Sequence, residues 1–299
     1  MTIHPLDLRF LGIDHAIAAY LVPTSEGPVL VEAGPHSTFG ALEKEVNRVG
    51  YELKDIRHVL LSHIHFDHAG AAWALAALGA KVYVHPFGYP HILNPEKLYQ
   101  SAKRIYGDEM ERLWGEMHPI PAELLHQPAH GETLTLGDTL FTAWHTPGHA
   151  KHHIAWQMGD VVFTGDVAGV AIQGGPAVAP CPPPDIDVSA WKASLALLRG
   201  LQPARLYLTH FGAIDQPLAH LGQLETMLDQ WAEWMYPHWQ SGRAANEITP
   251  EFQEFTKNQL RELGVKDDDL ARYEAANPSF MSVAGLLRYW TLKSEGKLA

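Results

Sequence analysis

The stretch His63-Ile64-His65-Phe66-Asp67-His68 packs three imidazoles and a carboxylate into six consecutive positions. Imidazole nitrogen and carboxylate oxygen together form the donor set that borderline divalent metals favour. A lone histidine is most often a satisfied core residue, but four donors in one turn point to a metal. Three further stretches place a donor just after an apolar run: Thr146-Pro147-Gly148-His149, Thr164-Gly165-Asp166 and Leu208-Thr209-His210. Singly each is weak, because a strand-end histidine or aspartate commonly forms a turn or faces solvent. Together they give seven candidate metal ligands: His63, His65, Asp67, His68, His149, Asp166 and His210. The chain holds 19 histidines, so the chemistry depends on which of them converge.

The elements that must position these donors alternate between strand and helix. Val59-Leu60-Leu61 reads as a short buried strand and the alanine-rich stretch Ala71 to Leu78 as a helix, which puts the first cluster on a strand-to-helix turn. Upstream, Ala16–Val22 and Val29–Glu32 form a hairpin around Ser25-Glu26-Gly27-Pro28, and Leu42, Val46 and Val49 mark a helix that stops at Gly50. A strand over Lys81–His85 completes an α/β alternation. Between Pro95 and Met117, apolar residues recur at helical spacing, either as an amphipathic helix packed on the body or as a lid over the site.

A second half repeats the theme. Glu132–Leu136 and Thr139–Trp144 pair across Gly137-Asp138, and His153–Gln157 and Val161–Thr164 follow as strands. Gly174–Pro184 is an irregular loop, Ala190–Leu198 a helix and Arg205–Thr209 a strand. From Leu218 onward the pattern is helical, with Thr249-Pro250 read as N-cap and first-turn proline of a helix that Gly264 ends. The expected division is residues 1–240 as a catalytic domain, with 95–117 as a helical insertion, and 241–299 as a helical extension with a packing or dimerising role.

Composition narrows the function. With 299 residues, 46% of them hydrophobic, the chain can bury a sizeable core. A net charge of −12 without a Lys/Arg cluster repels nucleic acid. The single cysteine, Cys181, allows no internal disulfide and fits a reducing compartment. Met1-Thr2-Ile3-His4-Pro5 lacks the charged and apolar regions of a signal peptide, and no run of about 18 apolar residues is present. A cytoplasmic protein with a small-molecule substrate, no membrane or nucleic-acid partner and a homodimeric option is therefore expected.

The four motifs, in this order, resemble the metallo-β-lactamase-fold hydrolases, the superfamily that includes glyoxalase II and the N-acyl homoserine lactonases. The HxHxDH signature stands as His63–His68, followed by the TPGH, GD and TH elements at His149, Asp166 and His210. The resemblance runs from about Asp14 to Leu221 and implies an α/β fold, an αββα four-layer sandwich with the site at one edge between two sheets; the helical C-terminal extension lies outside it. It further implies that His63, His65 and His149 bind one metal, that Asp67, His68 and His210 bind a second, and that Asp166 bridges them. Two ions about 3.5–4 Å apart share a water and bring its pKa toward neutrality. The implied reaction is attack of that hydroxide on an ester, thioester, lactone or amide, with Asp67 as the catalytic proton carrier. Zinc is the first choice of metal, then iron or manganese.

The chain departs from relatives in three places. Many carry an aspartate where Glu32 stands. β-Lactamases that use a cysteine at the second metal find no counterpart beside Asp166, which argues against antibiotic hydrolysis. Flavodiiron proteins have a glutamate at the position of His65 and an added flavodoxin domain. Persulfide dioxygenases, with one iron on the residues matching His63, His149 and Asp166, are the alternative reading, and a nucleic-acid phosphodiesterase is a third. His152 and His153 are read as either supports of the pocket or strand-start residues, His145 as a packing residue, and Cys181 as structural. His15, His36, His85, His130 and His238 have no partner in sequence, while Tyr99, Tyr106 and Trp114 line either the substrate or the helix–body contact.

Overall fold

The computed structural model describes residues 2–298; Met1 and Ala299, which open the stretch read for a signal peptide and close the C-terminal extension, lie outside them. Strands β1 (His4–Asp7), β2 (Ala18–Val22), β3 (Val29–Val31), β4 (His58–Leu60), β5 (Lys81–Tyr83) and β6 (Leu125–His126) form one sheet in that order. Strands β7 (Glu132–Leu136), β8 (Thr139–His145), β9 (Ile154–Met158), β10 (Val161–Val170), β11 (Arg205–His210) and β12 (Gly212–Ile214) form the other, laid out from β12 back to β7.

The central strands β2 and β3 are apolar on both faces because both faces are covered. On β2, Ala18, Tyr20 and Val22 face the second sheet, where they meet Phe141, Trp156, Phe163 and Tyr207. The alternate residues Ala19 and Leu21 face outward into a separate core. That outer core is closed by α1 (Phe39–Arg48), α2 (Phe66–Ala69), α3 (Ala72–Ala77), α4 (Tyr89–Leu93), α5 (Glu96–Tyr106) and α6 (Met110–Trp114). The second sheet is covered by α7 (Val188–Gly200), α8 (Pro217–Gln240), α9 (Ala245–Glu262), α10 (Asp267–Ala276) and α11 (Ser279–Ser294). The result is the expected αββα sandwich with a helical C-terminal region.

Three details differ from the reading of the sequence, and a fourth shows the C-terminal helices in the packing role named among their expected ones. The insertion is not one helix: it breaks at Gly107 into α5 and α6, and Ala102, Met110 and Trp114 bury into the first outer core. Strand β10 does not close at Thr164 but continues to Val170, its pairing with β11 slipping at Gly165. Pro250 stands inside α9 rather than in its first turn. Ile248, Phe252, Thr256 and Leu260, one per turn, are buried and hold the helix together across the missing amide. Finally, Ile248, Phe252, Leu270, Val283 and Leu286 of the C-terminal helices share one continuous core with Val162, Val170 and Leu208 of the second sheet. Among the described residues no helix is long and apolar enough to cross a membrane.

Candidate metal centre

All seven predicted donors arrive at one place, the edge where the two sheets meet. The segment after β4 carries Ser62, His63 and His65, and it is tied to the second sheet: Ile154 N donates to Ser62 O at 2.7 Å and Trp156 Nε1 to Leu61 O at 3.0 Å. The chain then turns into α2, which carries Asp67 and His68. His149 sits in the connection between β8 and β9, Asp166 at the slipped register of β10, and His210 at the end of β11. Gly165 is required next to Asp166: with φ +50 it lies so close to the first cluster that a Cβ would stand 2.4 Å from Ser62 Cβ.

The donors form two groups. His63 Nε2 lies 2.9 Å from His65 Nδ1 and 3.2 Å from His149 Nε2, and the latter two are also 3.2 Å apart. His210 Nε2 lies 3.4 Å from Asp67 Oδ2, and His68 Nε2 lies 3.6 Å from that same oxygen. Asp166 spans the groups: its Oδ2 is 3.4 Å from His149 Nε2, while its Oδ1 is 3.3 Å from His68 Nε2 and 3.5 Å from His210 Nε2.

The tautomers follow from the outer partners. His149 Nδ1 meets the carbonyl of Pro180 at 2.9 Å, and His210 Nδ1 meets that of Ala16 at 2.7 Å. A carbonyl only accepts, so both Nδ1 atoms carry the hydrogen and both Nε2 lone pairs point inward. His68 Nδ1 faces Glu32 Oε1 at 3.1 Å. Glu32 is itself buried and also accepts from Thr209 Oγ1 at 3.2 Å and Ser62 N at 3.3 Å. The longer carboxylate thus orients His68 from behind, and neither Ser62 nor Thr209 was singled out from sequence. Each immediately precedes a candidate donor histidine, which is the signal that could have found them.

Electrostatics fits a cation-binding site. Burial and neighbouring imidazoles hold His63 well below the usual histidine range, and burial pushes His65 down to about 4. Burial opposes ionisation of Asp67, yet His68 and His210 bring its carboxyl down to about 2. Burial likewise opposes charge on His68, and Asp166, Asp67 and Glu32 overcome it. His68 Nε2 and Asp166 Oδ1 are buried without a hydrogen-bond partner, although they face one another. Inward-pointing lone pairs and orphaned polar atoms at one point are what a divalent ion satisfies. Three sets of donors in metal-binding proximity recur among the described residues: His63–His65–His149, His63–His68–Asp166 and Asp67–His68–His210.

The remaining histidines sort by position. His153 is fully buried and acts as a support: its Nε2 accepts from Asp166 N at 3.2 Å and its Nδ1 meets Thr146 Oγ1 at 2.8 Å. His152 Nδ1 accepts from Ile64 N at 3.5 Å, with Nε2 3.8 Å from Asp185. His145 packs on His85, ring centres 4.1 Å apart, outside the donor groups. Cys181 is buried, and burial pushes its thiol up. Its loop, distant from every motif in sequence, is adjacent in space, because Pro180 orients His149. Tyr106 is mostly buried; its ring is 5.3 Å from Trp114 and its hydroxyl 3.9 Å from Met281 Sδ.

Comparison with known proteins agrees with this geometry. The model of the metallo-beta-lactamase superfamily matches residues 12–210, more than half of the chain. The chain belongs to the metallo-beta-lactamase superfamily. It is 31% identical over 179 residues to the metallo-beta-lactamase fold-containing protein ST1585 of Sulfurisphaera tokodaii, covering 58% of this chain and 67% of that one. It is 30% identical over 173 residues to an N-acyl homoserine lactonase of Bacillus thuringiensis, covering 50% and 62% respectively. The matched segment thus spans about two thirds of these relatives. Among solved structures, a metallo-beta-lactamase family protein of Thermus thermophilus shares the fold over 99% of this chain and 93% of its own, with a TM-score of 0.70 at 22% identity.

Proposed function

We propose that this superfamily member is a dinuclear metal hydrolase of a small acyl substrate, with a lactone first among ester, thioester, lactone and amide. One observation carries the reading: the two oxygens of Asp166 face two different histidine groups, His149 on one side and His68 with His210 on the other. In this reading His63, His65 and His149 hold one ion, Asp67, His68 and His210 hold the second, and Asp166 bridges them. When bound, such a pair of ions polarises a carbonyl and brings a shared water toward neutral pKa.

The protein's own residues do the rest. Asp67 is the most open of the site carboxylates, its side chain 22% exposed against 4% for Asp166. In this reading Asp67, on the open side of the site, would accept a proton and pass it to the leaving oxygen or nitrogen. Glu32, Ala16 and Pro180 fix the imidazoles in the tautomers that present lone pairs inward. Residues 1–240 carry the site and 241–299 buttress it. Zinc is the first metal in this reading, the mixed nitrogen and oxygen donor set being its usual one. The free, buried Cys181 is in keeping with a reducing cytoplasm. The lactonase among the relatives is why a lactone heads the substrate panel.

Elemental analysis of the purified protein, beside a panel of lactones, thioesters and phosphodiesters, tests this. The expected result is two transition-metal ions per chain, with hydrolysis of an acyl substrate abolished in His63→Ala and Asp166→Ala. A single iron with oxygen uptake on a persulfide, or phosphodiester cleavage alone, would overturn it.

A further inference from the structure

The C-terminal helices reach the metal centre through a buried polar relay. Pro180, whose carbonyl meets His149 Nδ1 at 2.9 Å, is gripped on both sides by the end of α10 and the start of α11. On one side Asn277 Nδ2 donates to Ala179 O at 3.4 Å. On the other, Cys181 N donates to Ser282 Oγ at 3.3 Å, and Ser282 Oγ in turn donates to Asn277 Oδ1 at 3.1 Å. Ser282 is wholly buried and Asn277 8% exposed. Gly285, one turn further along α11, packs so tightly on this loop that a Cβ would stand 1.9 Å from Cys181 O. The loop Gly174–Pro184 has little structure of its own beyond a bridge between Val170 and Val178; apolar burial of Ala179 and Cys181 anchors it, and these contacts are the side-chain hydrogen bonds that flank Pro180.

Buried polar groups in a helix–loop contact are costly unless each is paired, and an apolar seam would hold the loop as firmly. What an apolar seam would not do is fix the direction of one carbonyl. We propose that Asn277 and Ser282 are positioning residues of the metal centre: they aim the Pro180 carbonyl at His149 Nδ1 and thereby hold the His149 Nε2 lone pair on the ion. The extension is then part of the site rather than a passive cover. This inference rests on the reading of His149 as a metal ligand.

The test compares metal-stripped full-length variants titrated with Zn2+ against a chromophoric chelator, with circular dichroism as the check on folding. In Ser282→Ala and Asn277→Ala, one of the two ions is expected to bind about 10- to 100-fold more weakly, as loss of a ligand's orienting partner does, and the other as in the parent. Tyr273→Phe is the control: it removes a 2.8 Å bond from the same tail to Pro176 O, away from the relay, and is expected to leave both affinities unchanged. Asn277→Asp keeps the side-chain volume while losing the donor to Ala179, and serves if the alanine variants do not fold. Parental affinity in the relay variants, or equal weakening in Tyr273→Phe, would overturn the proposal. His149→Ala run in parallel separates the two claims: if it retains both ions, the ligand reading fails; if it loses one while the relay variants lose none, only the relay fails.

Discussion

Glu32 Oε1 and His68 Nδ1 meet at 3.1 Å with both side chains essentially out of solvent. That one carboxylate joins three parts of the fold, because it also receives the Thr209 hydroxyl from β11 and the Ser62 amide from the turn after β4. Its own backbone is left-handed, φ +67, an uncommon state for a residue with a side chain. The hydrogen-bonding demand at this point outweighs the local cost.

Replacing Glu32 with alanine should therefore be severe. It strands three donors at once, and loss of a buried charged partner costs about 3–5 kcal/mol. Glu32→Asp, shorter by one methylene, should cost about 1–3 kcal/mol, the penalty for a stranded buried group. Urea unfolding of the two variants beside the parent reads the order directly; an Asp variant as unstable as the Ala variant would show that reach, not charge, is what matters.

Acid should weaken the fold partly through His85. Burial, then the neighbouring His145, pushes its pKa down to about 4. A histidine lowered in the folded state binds fewer protons there than in the unfolded chain, where it titrates near 6.5. Its contribution is thus complete above about pH 6.5 and lost progressively as pH falls toward 4, to a limit of about 3 kcal/mol. In His85→Asn, which keeps an acceptor for Phe87 N, the urea midpoint should fall less between pH 7 and pH 4.5 than in the parent. Parallel curves would refute the assignment.

Gly148→Ala should disturb both the fold and the metal site. Gly148 adopts φ +136, and a Cβ there would lie 2.3 Å from Trp191 Cα, a backbone atom of α7 that cannot swing aside. Overpacking and backbone strain together should cost about 3 kcal/mol. Because His149 is the next residue, the surviving folded protein should also hold fewer ions, which equilibrium dialysis would count.

The sequence showed the donors more clearly than the elements holding them. His63 to His68, His149, Asp166 and His210 were legible because ligand chemistry permits few residue types, and their order along the chain restricts the fold. The strands were legible from apolar runs bounded by turn residues. Glu32 stood out through the resemblance, where many relatives carry an aspartate, as a residue that could orient the ligands with a longer reach; that its partner is His68 was not legible, since a long-range pairing leaves no local pattern. The Pro180 and Ala16 carbonyls were invisible for a plainer reason: every residue has a carbonyl, and only the folded path selects one. The break at Gly107 and the passage of α9 through Pro250 were settled by burial of distant side chains, which local propensity does not see.

The donors are divided between the sheets: His63, His65, Asp67 and His68 follow a strand of the first, while His149, Asp166 and His210 belong to the second. Neither half of the polypeptide carries the whole donor set, so on the proposed dinuclear reading capture of metal would have to wait until the halves have docked. Metal occupancy would then be a readout of completed assembly, and starvation for metal would be felt first as a loosened joint between two otherwise well-formed layers.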